Sequence, residues 1–176
     1  IQTVATAGSA SVIYQGTPVI PLANGMIDIV GGATGGVVPL LGAFMGCQYT
    51  DLNGKPTFNN KYPGTAAIKA NTVATGLISA NPDQLFLINC NAAAADLIVH
   101  ANADFATATS GNATTFISTA ELDVSTVNTT NTLNMRIVGF EDTPDNDDAA
   151  VAGRLAIVLL NNHFYRYNAN GTGAGI

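Results

Sequence analysis

Apolar and polar positions alternate in short runs along this chain of 176 residues, and nowhere do apolar residues keep the 3.6-residue spacing of an amphipathic helix. The clearest strand is Leu133 to Phe140, where Leu133, Met135, Ile137 and Gly139 share one face while the other begins polar and ends apolar. Arg154 to Leu160 is a second, and the acidic loop Glu141 to Asp148 joins the two into a long-looped antiparallel pair. Upstream, Val37 to Tyr49 is one apolar stretch broken by glycines. Asn53-Gly54 between Tyr49-Thr50 and Thr57-Phe58 then predicts a hairpin, because Asn and Gly tolerate the positive φ of a type I′ turn. A second hairpin is expected from Val73 to Cys90, turning at Asn81-Pro82-Asp83. Ala92 to Ala95 has room for a short helical turn, and Thr114 to Ser118 is a weaker strand.

Both ends of the chain read differently from its middle. Residues 1–36 are punctuated by Gly and Pro and read as an arm or as edge strands. Yet Val12, Ile13, Tyr14, Val19, Ile20, Ile27 and Ile29 are too apolar for a free tail. That segment is therefore expected to be ordered by a neighbouring subunit, adding a strand to a sheet edge or filling an apolar groove. On this reading, truncation to Val37 leaves a folded body. Residues 37–167 form that β-rich body, and 168–176 a Gly-rich tail. Phe164-Tyr165-Arg166-Tyr167 reads either as an interface or as an ordinary last strand. The expected class is all-β with little helix: a small antiparallel β-sandwich or barrel with extended N- and C-terminal arms, one domain, and no second core.

Composition adds a surface argument. Only 10% of residues are charged, against about 25% in an average soluble domain. Asn, Thr, Ser, Gly and Ala finish the surface instead, which predicts that much of it is buried against partners. The net charge is −6, and Lys55, Lys61, Lys69, Arg136, Arg154 and Arg166 are scattered singly, which argues against nucleic acid. No apolar run is long enough for a membrane span. No secretory signal is seen, and the start at Ile1 without a Met reads as processed or incomplete.

Candidate chemistry is sparse. Cys47 and Cys90 sit in apolar sequence without a CxxC and read as buried thiols, with one disulfide left open. The acidic run Glu141 to Asp148 invites calcium, but a calcium loop begun at Asp145 places Ala150 where Gly belongs and Ala156 where the bidentate Glu belongs. It reads as a solvated hairpin loop. His100 and His163 form no HxxxH or HxH pair. Gly31 to Gly36 lacks the Lys of a phosphate loop and reads as a hinge. Asn112-Ala113-Thr114, Asn128-Thr129-Thr130 and Asn170-Gly171-Thr172 match the glycosylation triplet, as chance allows in an Asn- and Thr-rich chain. No catalytic, cofactor or metal residue is assigned, and the chain is read as a non-enzyme.

Three phrases, in order, carry a resemblance. They are Leu40 to Asp51 with Asn53-Gly54-Lys55-Pro56, Phe58 and Tyr62-Pro63; Ala80 to Phe86 with Asn102-Ala103-Asp104-Phe105; and Arg136 to Phe140 with Pro144 to Asp147 and Asn161 to Arg166. Together they resemble the capsid decoration, or cement, proteins of tailed bacteriophages, encoded beside the major capsid protein. The chain departs from that pattern at Ala92 to Ala95 and at Val99-His100. The resemblance implies a virion protein on the capsid surface, binding the phage major capsid protein as a homo-oligomer, with a trimer favoured, and carrying no catalytic residue. The alternative is another virion or cell-surface structural module, such as a tail component or an adhesin. The partner-binding residues expected on either reading are Val12, Ile13, Tyr14, Ile20, Ile27, Ile29, Phe164, Tyr165, Arg166 and Tyr167.

Overall fold

The computed structural model describes residues 2–4, 11–30 and 39–166. Two antiparallel sheets account for nearly all regular structure there, with only three single 3-10 turns. The first sheet contains β1 (Gln2–Val4), β2 (Pro18–Pro21), β3 (Ile27–Ile29), β4 (Gly42–Thr50), β5 (Pro56–Asn59) and β6 (Ala74–Ser79), in the order β2-β3-β1-β6-β4-β5. The second contains β7 (Leu85–Asn89), β8 (Asn102–Ala106), β9 (Glu121–Asn128), β10 (Met135–Phe140) and β11 (Leu155–Leu160), in the order β7-β11-β10-β8-β9. The class is all-β, as the short alternating runs predict.

Each sheet rolls around its own core. In the first, β4 runs along β6 on one edge and on the other holds β2 at Gly42–Ala43 and β5 at Cys47–Thr50. Because β2 also pairs with β3, β3 with β1 and β1 with β6, five strands close into a ring, with β1 and β3 the one parallel pair. Inside lie Ile13, Val19, Ile27, Leu41, Phe44 and Tyr62, all fully buried. In the second sheet the outer strands β7 and β9 converge at the Cys90–Leu122 bridge. Beneath that sheet Phe105, Leu122, Met135, Ile137, Val158 and Leu160 form a separate cluster, covered by Val30 and Leu40. The expectation of one core is corrected to two. Strands with apolar residues on alternate positions can be rolled twice in a chain of this length, and the sequence pattern does not distinguish one roll from two.

The N-terminal expectation also changes. Ile13, Val19 and Ile27 are not presented to a neighbour but fill the chain's own first core, where burying each contributes about 1.5–3 kcal/mol. Ile29 packs against that same core and Ile20 against the other, while the Tyr14 ring lies against Gly111. Truncation to Val37 would remove three strands of the ring, so it would not leave an intact body. Val12 is half-buried. The Gly31–Gly36 hinge, the 168–176 tail and Tyr167 lie outside the described residues.

Local turns decide the remaining differences. The β4–β5 hairpin forms with Tyr49 opposite Thr57 and Thr50 opposite Pro56. Only Gly54 is left-handed, at φ 83, and the Asp51 carboxylate accepts the amides of Asn53 (2.9 Å) and Lys55 (2.8 Å). This is a three-residue loop closed by an αL glycine rather than a type I′ turn. Asn81-Pro82-Asp83 does turn, but β6 and β7 enter different sheets, so the turn is a crossover and not a hairpin. The helical turn falls at Asp96–Ile98, later than Ala92 to Ala95. Thr114 to Ser118 forms only isolated bridges, to Gln15 and Gly111.

Candidate interaction surface

Most residues singled out for chemistry have structural partners. Within the acidic loop, Asn146 is buried; its amide donates to the carbonyls of Glu141 (2.8 Å) and Leu155 (3.0 Å), and its oxygen accepts the Leu155 amide (2.6 Å). Arg154 donates to the Asn146 carbonyl (3.1 Å) and the Ala94 carbonyl (2.9 Å), pairs with Asp96 (2.8 Å) and lies 3.8 Å over the Phe140 ring. Asp142, Asp145, Asp147 and Asp148 stay exposed around this clamp. Among the described residues no cluster of His, Cys, Asp or Glu is arranged to hold a metal ion.

The phrases that carry the resemblance are also built in. Asp104 is buried and accepts the Asn134 amide (2.7 Å) and the Phe105 amide (2.8 Å), while Asn102 donates to the Thr130 carbonyl (2.9 Å). Asn162 donates to the Thr132 carbonyl (2.9 Å), tying the end of β11 to the loop before β10. Cys47 and Cys90 are free, buried thiols. Burial pushes the Cys47 thiol up to about 12, which keeps it protonated and unreactive.

His100 is exposed and sits at φ 74, whereas His163 is buried and its backbone bridges to Leu40. The His163 Nδ1 accepts the Tyr165 amide (3.1 Å). Burial, then the adjacent Arg166, lower its pKa from 6.5, against the opposing pull of the Leu41 carbonyl and Asp83. Because the folded state disfavours the imidazolium, this contribution to stability is complete above 6.5 and is lost as pH falls through it towards the lower folded value. Melting temperature is expected to drop as pH is lowered from about 6.5, and the slope to flatten in His163→Gln, as followed by circular dichroism.

Phe164 packs on the first core, Arg166 pairs with Asp83 beside the start of β7, and Tyr165 is exposed. Of the expected partner residues, then, Ile13 and Ile27 are withdrawn and Tyr165 stands at the surface.

Two apolar surfaces missed by sequence reading remain. On the outer face of the second sheet, Leu85 and Leu87 of β7, Val138 of β10 and the half-buried Ile157 and Leu159 of β11 present apolar side chains, with Leu85 opposite Leu159 and Leu87 opposite Ile157. The signal was present: Leu85-Phe86-Leu87-Ile88 and Leu155 to Leu160 are apolar on both faces, whereas a half-buried antiparallel strand alternates with polar residues. The second surface is a groove of about 490 Å³ between the two sheets, lined mainly by apolar residues with the neutral polar Gln15, Ser79, Gln84, Asn89 and Ser118 among them. Its floor is the second core at Phe105, Met135, Val158 and Leu160, and its lining contains no Asp, Glu, Lys, Arg or His. Without a titratable group the groove has no means of general acid–base chemistry; it is built to hold an apolar, uncharged group. Comparison with known proteins returned no match to a family model, to a curated protein or to a solved structure.

Proposed function

We propose that this chain is a capsid decoration protein, binding the outer surface of a phage major capsid lattice as a homo-oligomer, with a trimer favoured, and stabilising that lattice without catalysis. The observation that carries the reading is the apolar strip Leu85, Leu87, Ile157, Leu159 and Val138 on the outer face of the second sheet, beside the exposed cation Arg136. Exposed Leu85 and Leu87 on β7 and Val138 on β10, with the half-buried Ile157 and Leu159 of β11 between them, make a surface that a dispersed monomer has reason to cover. The low charge and the three ordered phrases point the same way. Binding would act through area and avidity, since several weak contacts presented by one oligomer raise overall affinity by roughly 10²–10⁴.

Capsids assembled with and without the chain provide the test. The decorated particles are expected to retain DNA to a higher temperature and to carry the chain near parity with the coat protein. Identical heat release would overturn the reading. Occupancy far below parity would favour a tail or fibre component instead.

A further inference from the structure

We propose that the groove between the sheets is a strand-accepting site, which takes an extended, uncharged segment of a partner chain along the open edge of β7. This inference stands apart from the capsid reading, because it concerns what the groove binds and not where the protein acts.

Strand β7 is the last strand of its sheet, paired only with β11. The Cys90 amide donates to the Arg154 carbonyl on the β11 side, while the next amide, Asn91, donates to the Leu122 carbonyl on the β9 side. Alternation along an antiparallel ladder therefore turns the backbone groups of Leu87 and Asn89 away from β11 and towards the groove. At the Cys90–Leu122 bridge the Asn89 carbonyl faces the Leu122 amide, which leaves the Leu87 backbone and the Asn89 amide turned towards the groove beyond it. The Leu85 carbonyl on the same edge is met by the Gln84 side-chain amide (2.8 Å), a local substitute for a strand partner.

The sheet is thus a roll with a seam. It is shut at the Cys90–Leu122 bridge and open beyond it, where β7 forms one lip and Ile117, Ser118 and Ala120 belong to the other side. An added strand would bond to the Leu87 N–H and C=O and to the Asn89 N–H, and set alternate side chains on the floor of Phe105, Met135, Val158 and Leu160.

The electrostatics select the occupant. With no charged residue in the lining, a Lys or Glu on the inward face of the entering strand would lose its water without gaining a partner. The edge also lacks the Lys, Pro or inward charge by which exposed edges are usually protected against added strands. The exposed apolar residues at the mouth, Ile117 at 54% and Met45 at 43%, extend the contact to a strand that enters.

The test uses the full chain and two capped eight-residue peptides. One alternates Val and Thr, and the other carries Lys in place of the two central Val. Residue-resolved amide exchange is followed by NMR. With the first peptide, protection at Leu87 and Asn89 is expected to rise by about tenfold or more, and with the Lys peptide to stay unchanged. Ile117→Lys and Met45→Lys, both at exposed side chains, should abolish the effect while leaving exchange in the core of β10 and β11 as it was. The proposal is overturned by no added protection at saturating peptide, or by equal protection from both peptides. It is equally overturned by protection that appears on concentrating the chain alone, which would make a second copy the occupant.

Discussion

Replacing Arg154 by Met is expected to destabilise the protein by about 2–4 kcal/mol, which for a chain of this size lowers the melting temperature by roughly 6–12 °C. Met preserves the apolar stem but removes every donor. The carbonyls of Ala94 and Asn146, each held at about 3 Å by the guanidinium, would then be left unbonded beside a side chain that is only 8% exposed. The contact over the Phe140 ring goes as well. Asp96, by contrast, is 78% exposed, so it regains water when its partner leaves. Asp96→Asn should therefore cost under about 1 kcal/mol, as surface ion pairs do. Urea unfolding of the two variants separates these contributions. Equal losses in both would mean that the ion pair, and not the carbonyl clamp, holds the acidic loop. Asn146→Ala keeps the main-chain carbonyl that Arg154 bonds but removes the side-chain bonds to Glu141 and Leu155 that fix the same loop, so its effect should combine with Arg154→Met less than additively.

The all-β class was legible because every apolar run is short and none keeps helical spacing, and β10 and β11 were legible because Met135, Ile137, Ala156 and Val158 alternate cleanly. Pairing between distant segments was not. The turn at Asn81-Pro82-Asp83 looks the same whether the next strand returns or crosses to another sheet; β6 is taken by the nine-residue β4, and β7 by β11. Strand β9 escaped notice because Glu121, Asp123, Ser125 and Thr126 dilute its apolar positions. Asp123 is nevertheless fixed in place: the Ser125 hydroxyl and amide and the Asn91 side chain bond its carboxylate and hold its pKa below the usual carboxylate range. The N-terminal apolar residues were recognised as needing cover, but composition does not say whose core covers them. Low charge predicted a buried surface without locating it. The groove could not be foreseen at all, since it joins residues from Gln15 to Leu160 that only the packing of the two sheets brings together.

A glycine in the first ring gives the other large effect. Gly42 opens β4 at the point where that strand meets both β2 and β6, with Val19 opposite Gly42 and Ala43 opposite Ser79. Its φ is +146, a conformation that L side chains rarely adopt, and a Cβ built there would lie 2.0 Å from the Ser79 carbonyl oxygen and 2.9 Å from its carbon. The obstacle is backbone, so no rotamer change relieves it. Gly42→Ala must either shift the end of β6 or open the ring beside Phe44, and is expected to cost about 3 kcal/mol or more. The control is Gly139→Ala. That glycine lies at the irregularity in β10, and a Cβ there meets nothing within 4 Å. Its substitution should change stability by no more than about 0.5 kcal/mol, as a surface change does. Chemical denaturation of both variants reads the difference directly. A Gly42→Ala protein as stable as the parent would mean that the β4–β6 contact yields without cost, and that the ring is not closed as tightly as its pairing requires.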